Sequence, residues 1–549
     1  MKNCLALLLL YVLALVQMGC RKDSPDSDIL INKAKPHPDN SLIVTAPGSE
    51  GCMEFAAETP NPYTVSNMVA ALNTLAISGE LGCDTSIFNI RVTHKYIKFK
   101  PQTEAQFDSL NDDTTLILFD YPLHRKITKG GTYYRDPTVP EGQPNFQWTC
   151  VPIDRLLSSE IPYDILAELY IPEEDPELVQ FYETAFDDCI TLLIDEALKR
   201  TGNFDTTENY DAMTSGGEVL GLLPSKYTPK GYITVFDDRL NKNIGLLQAK
   251  VRAQRWFEMR QNMTDYFGHF NVLHKFRYPV NYSIKWERAD YHIRSGTIGQ
   301  AYFNGPHKRG DWYLNIVKNG VSWVYANVHR AAFRYHYLNI GGLKRPGQKN
   351  LRYWVYNHSS PGAHSGVNWS EYIKIWRFDQ NYSPYTADEI YTTTIHETAH
   401  SSHIDLLPGG VVSLANVGKI IFESYAIGVE WQITQLEYRS RGISDYSGPT
   451  YFSGNNNLLY PINYGYQYWN KNIDPDYTSL FIDLIDDYNQ VNANFTAPIS
   501  DQVQGYSLAS IEGYLQNVIG LNTLKNELKA HKPSNVTDQQ IDDLINEFQ

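Results

Sequence analysis

The chain has 549 residues, with 62 acidic against 47 basic side chains and a formal charge of −15. That balance argues against a nucleic-acid partner and a polybasic membrane patch, both of which need clustered cations. The length allows two to four domains with ample core, while the 39 Tyr and 10 Trp suit a folded, loop-rich protein and do not separate an enzyme from a glycan binder.

Lys2 precedes an uncharged run from Leu5 to Val16, followed by Gln17-Met18-Gly19-Cys20. The run is too short to span a bilayer and reads as a secretory signal over residues 1–19. It resembles a lipoprotein signal, which implies cleavage before Cys20 and lipidation of that cysteine; Gln17 stands where an aliphatic residue is usual. Residues 20–48 are polar and read as a tether. Lys22-Asp23 resembles the charged signals that direct some Gram-negative lipoproteins to the outer cell surface, which implies an outer-membrane, surface-exposed protein. No later stretch is apolar for 18 residues, so the lipid is the only membrane attachment expected. An exported chain carrying Cys52, Cys83, Cys150 and Cys189 is expected to form two disulfides of open connectivity, against the alternative of buried free thiols.

Residues 49–172 read as a small α+β domain: a helix over 66–77, a strand over 90–99, a capping box at Thr103-Glu104-Ala105-Gln106 opening a short helix, and a strand over 116–119. Residues 173–228 hold a helix over 181–199 and a Gly/Pro/Ser-rich linker. From 229 to 290 the signals change to short strands and turns, Tyr232–Asp237, Ala249–Ala253 and Thr264–Phe270, at the spacing of a β-sandwich. This stretch resembles the carboxypeptidase regulatory-like domain in its Thr-Asp-x-x-Gly-x-Phe ending, and departs from it at Leu246-Leu247-Gln248. The resemblance implies a structural or recognition module.

The last region, 291–549, opens with a helix over 321–337 and strands over 351–356 and 372–376. It then carries His396-Glu397-Thr398-Ala399-His400, a HExxH pentapeptide within a helix that a Thr386–Glu389 capping box starts and Pro408-Gly409-Gly410 ends. On a helix this spacing puts two imidazoles on one face with a carboxylate beside them, the minimal kit for a zinc hydrolase. Such a site needs a third protein ligand. Glu423, 23 residues beyond His400 on a returning helix over 417–441, is the reachable carboxylate. Asp405 lies off the ligand face, and Glu430 lies two turns beyond Glu423; both stay open as alternatives. His403 is about 10 Å along the helix from His396, too far to share an ion, and reads as a rim or supporting residue.

Together these residues resemble the gluzincin metallopeptidases, in which HExxH is followed by a glutamate on the next helix. The resemblance covers roughly residues 320–442 and implies a Zn2+ cofactor held by His396, His400 and Glu423, with Glu397 as general base. It implies that Ala426 permits close helix contact and that the strand over 372–376 lines the cleft. Some gluzincins carry an Asp four residues after the ligand glutamate; Ile427 stands there, so the carboxylate supporting the histidines is open. Gluzincins often draw an oxyanion donor from downstream, which makes Tyr464, or its neighbour Tyr466, a candidate catalytic residue. The metzincin pattern is excluded, because His403 and Leu406 stand where a Gly and a His are needed. The wider chain is similar to a set of Gram-negative surface lipoproteins. The expectation is therefore a multidomain α+β protein: a small N-terminal α+β domain, a middle β-sandwich and a C-terminal, mostly helical zincin-like domain. It would hydrolyse extracellular protein or glycoprotein. The alternative is a non-catalytic surface lipoprotein that binds glycan or protein ligands.

Overall fold

The computed structural model describes residues 51–78, 85–178, 186–204, 223–347, 350–360, 371–444, 446, 474–489 and 499–549. These residues form a mixed α+β molecule with eleven α-helices and five sheets, and no described helix is long and apolar enough to cross a membrane. The signal segment, Cys20, the tether, Cys83, Tyr464 and Tyr466 lie outside the described residues.

The first part contains β1 (Glu54–Phe55), α1 (Val65–Ser78), β2 (His94–Phe99), α2 (Glu104–Asp112), β3 (Ile127–Lys129), β4 (Gln147–Pro152), β5 (Tyr163–Leu169) and α3 (Phe186–Arg200). β2 is the centre of an antiparallel sheet between β4 and β5, and β1 pairs with β3. Thr103 caps α2 by accepting from the Gln106 amide at 3.2 Å. The expected strand over 116–119 does not form, and Phe119 alone bridges to Trp148. The Leu118 carbonyl accepts instead from the Arg252 guanidinium at 2.6 Å, so it serves a junction with the next sheet rather than a ladder. Cys189 is disulfide-bonded, whereas Cys52 and Cys150 are free thiols. Two bridges are not made: Cys52 sits beside the β1–β3 pair and Cys150 within β4, in separate sheets.

The middle of the chain runs through β6 (Lys230–Asp237), β7 (Lys242–Gly245), β8 (Lys250–Arg255), β9 (Glu258–Met263), β10 (His269–Asn271), β11 (Val280–Lys285), β12 (Tyr291–Ser295), β13 (Gly299–Gln300), β14 (Tyr302–Lys308) and β15 (Trp312–Ile316). One sheet has the order β10-β6-β15 with β7 on β6, and a second has the order β14-β11-β8-β9. They share a core in which Tyr282 of one sheet lies 5.3 Å from Trp312 and 6.2 Å from Phe270 of the other. The turn into β10 explains its sequence. Asp265 accepts from the Phe267 and His269 amides, and Gly268 has φ +84° with its Cα so close to the Ile233 carbonyl that a Cβ would come within 2.1 Å of that oxygen. Pairing continues past residue 290, since β14 and β15 return to these two sheets.

β12 instead opens a further sheet, of order β13-β12-β16-β17, with β16 (Leu351–Ser359) and β17 (Tyr372–Phe378) parallel to it. Buried parallel strands read as apolar runs, and Ile293, Tyr353, Val355, Ile373 and Ile375 are all buried. Helix α4 (Val321–Tyr337) packs on β16, and α5 (Ala387–Leu406) packs on α4 and β17. After the one-turn α6 (Val411–Leu414), α7 (Lys419–Ser440) returns along α5, their largest helix contact. The short helices α8 (Leu480–Asp483) and α9 (Leu508–Glu512) close over α7 and join α10 (Leu521–Ala530) and α11 (Asp538–Glu547) in a second core.

The β6–β7 hairpin reaches into the helices. Asp238 accepts from the Ala387 amide at 2.7 Å and so satisfies an orphan donor at the start of α5. Its neighbour Asp237 meets Arg330 of α4 at 2.9 Å and the Tyr438 hydroxyl of α7 at 3.0 Å.

Candidate metal centre

Helix α5 is started by a complete capping box: Thr386 accepts from the Glu389 amide, and Glu389 accepts from the Thr386 amide at 2.6 Å. Two turns later His396 and His400 share the face turned to α7, where Glu423 comes in the second turn. Small Ala399 and Ala426, both fully buried, let the two helices approach.

His396 Nε2 and His400 Nε2 are 3.1 Å apart, and Glu423 Oε2 lies 3.4 Å from the first and 3.0 Å from the second. This buried trio could hold a metal ion: one ligand atom from each residue lies within 4.8 Å of the others. Glu397 is equally buried and acts electrostatically on His396.

Glu430, weighed in the sequence as a possible ligand, takes another place. Its Oε2 is 3.0 Å from His396 Nδ1, so the imidazole donates from Nδ1 and turns Nε2 to the centre of the trio. Glu430 is seven residues after Glu423, two turns along the same face, and that spacing is the signal that could have found it. Burial pulls the His396 imidazole down, but its hydrogen bonds with Glu423 and Glu430 outweigh this and raise it to about 9. Burial pushes Glu423 up, and the two imidazoles overcome it, holding the carboxyl far below its usual range.

Each ligand ring is backed by an aromatic face. Phe422 stacks on His400 at 4.0 Å and Tyr477 on His396 at 6.2 Å. Tyr477 is held there because Ser424, next to Glu423, donates to the Asp476 carbonyl at 3.1 Å and accepts from the Thr478 amide at 3.0 Å. Sequence reasoning passed over Tyr477, which carries no motif spacing. His403 is not at a rim: it is fully buried against Phe422 and Tyr425, and neither ring nitrogen has a hydrogen-bond partner among the described residues. Asp405 is turned away and accepts from the Gly347 amide at 2.7 Å.

Compared with known proteins, the chain matches no family model, no curated protein and no solved structure.

Proposed function

We propose that this protein is a zinc metallopeptidase of gluzincin type, anchored through acylated Cys20 to the outer membrane and facing extracellular protein or glycoprotein. The observation that carries the reading is the ligand triangle. Tetrahedral zinc with ligands at roughly 2.0–2.1 Å needs ligand atoms about 3.3 Å apart, and the three edges here are 3.0, 3.1 and 3.4 Å. A two-imidazole, one-carboxylate donor set is also that of zinc hydrolases, which leave one position for water.

When bound, zinc lowers the pKa of water towards 7 and polarises a carbonyl. The chain's own residues do the rest. His396 is fixed in its tautomer by Glu430, and His400 is held against Phe422, so both present Nε2 in a defined direction. Glu397 follows His396 directly and is the carboxylate available to take a proton from water and return it to the leaving amine. Peptide-bond cleavage thus needs water activation and proton transfer, and the α5–α7 pair offers a group for each.

A second reading keeps the metal and drops catalysis, making the chain a surface lipoprotein that binds glycan. It is favoured by one feature: Tyr232, His269 and Tyr313 stand in register on three adjacent strands, with exposed rings 6.4 and 4.8 Å apart along the row. The deciding experiment combines metal analysis of the purified protein with casein, mucin and peptide-library digestion, with and without chelator. About one zinc per chain and chelator-sensitive cleavage are expected; protein free of zinc would defeat the metallopeptidase reading.

A further inference from the structure

A cavity of about 220 Å³ lies where the segment after α2, the strands β8 and β9, and the turn between β11 and β12 come together. Its wall carries Lys250, Arg252, Lys285 and Arg288, together with His292, against the carboxylates of Glu287 and Asp113. Four full cations around one small space, in a chain of net charge −15, is a local reversal of sign.

The two carboxylates are already engaged. Asp113 is 2.6 Å from Arg155, and Glu287 is shared between Lys250 at 2.6 Å and Lys285 at 2.8 Å. Arg252 feels the buried Asp120 carboxylate through space but makes no direct ion pair among the described residues. It is 1% exposed, it donates to the neutral Ser283 hydroxyl and Leu118 carbonyl, and its Nη2 has no hydrogen-bond partner among the described residues. Its remaining company is the rings of Phe119 and Tyr302. Arg288 likewise makes no ion pair among the described residues and lies over Phe333 and Tyr337. A buried guanidinium with no carboxylate in direct contact is costly, and an anion held in the adjoining cavity would offset that cost. Burial, opposed by Glu287 and aided to a lesser extent by the neighbouring Lys250, lowers the Lys285 ammonium to about 8.

We propose that this cavity is a binding site for a compact oxyanion, a sulfate or phosphate group, gripped by Lys250, Arg252 and Arg288 where the first part of the chain meets the β8–β9 and β11 strands. Guanidinium and ammonium side chains contributed by β8, β11 and the turn after β11 suit a tetrahedral oxyanion, which accepts from several directions at once. The group is either free in solution or carried on a sugar. The assignment does not depend on the metal centre or on peptidase activity.

The test uses the full mature protein, dialysed into chloride buffer and titrated calorimetrically at constant ionic strength with sodium sulfate, phosphate and a hexose 6-sulfate. Saturable binding of sulfate or phosphate with a dissociation constant below about 1 mM is expected, with a matching rise in melting temperature. Tighter binding of the hexose sulfate would identify the sugar-borne form, and equal or weaker binding the free ion. Arg288→Ala, at the partly exposed edge, and Lys250→Met should each weaken the binding at least tenfold while melting cooperatively, whereas removal of zinc should leave it unchanged. Absence of heat with every anion, a melting response equal to that of added chloride, or unchanged affinity in both variants would overturn the assignment. Arg252→Met is the sharper variant, and the other two decide the question if it fails to fold.

Discussion

Glu430 Oε2 accepts from His396 Nδ1 at 3.0 Å, across the groove between the motif helix and the helix that supplies Glu423. Such a partner fixes both the tautomer and the orientation of the imidazole. Glu430→Gln should therefore bind zinc about 10–100-fold more weakly while keeping its fold. Competition against a chromophoric chelator measures this, and an unchanged affinity would remove Glu430 from the site.

Glu397 separates the catalytic reading from the binding one. Glu397→Gln should retain zinc and lose about 10²–10⁴-fold in turnover, the usual contribution of a general base. Turnover at the wild-type rate would end the assignment of Glu397.

His403 is buried without partners for its ring nitrogens and packs on aromatic rings. His403→Leu, close in volume, should leave zinc stoichiometry unchanged. It should also hold or raise the unfolding free energy, because an unsatisfied buried polar group costs about 1–3 kcal/mol. A loss of zinc would show that His403 is a ligand or supports one.

Glu437 sits among Arg330, Arg334 and Arg441, with contacts of 3.3, 2.7 and 2.5 Å. Burial raises its carboxyl, but the guanidiniums outweigh that and bring it from 4.5 down to about 2. A depressed carboxyl stabilises the fold above its unfolded pKa, so this contribution is complete above about pH 4.5 and fades as pH falls towards 2. A shift of that size corresponds to about 3 kcal/mol. Chemical denaturation of Glu437→Gln at pH 7 should show a loss of at least that order, and the gap from wild type should narrow between pH 4.5 and 2.

The parts of the molecule legible in the sequence were those with local signals. The Thr386–Glu389 box, the bounds of α4 and the facing of His396 and His400 follow from a few neighbouring residues and one helical period. Glu423 was within reach because a short reversal between two helices leaves little freedom. Pairings between distant residues were not legible. Nothing near Trp312 announces that β15 joins β6, about 80 residues earlier, in parallel. Nor does the run over 116–119 reveal that its Leu118 carbonyl serves Arg252 rather than a ladder. Tyr477 was hidden for the same reason, since its place against His396 is fixed by side-chain bonds from Ser424.

Asp237 and Asp238 are consecutive residues of one hairpin, yet the first is tied to α4 and α7 and the second to the leading end of α5. The hairpin therefore acts as a gauge block between the two helices that carry the ligand trio. Inserting one residue between Asp237 and Asp238 would draw these anchors apart and change the angle at which His396 and Glu423 face each other, without altering any residue of the metal centre.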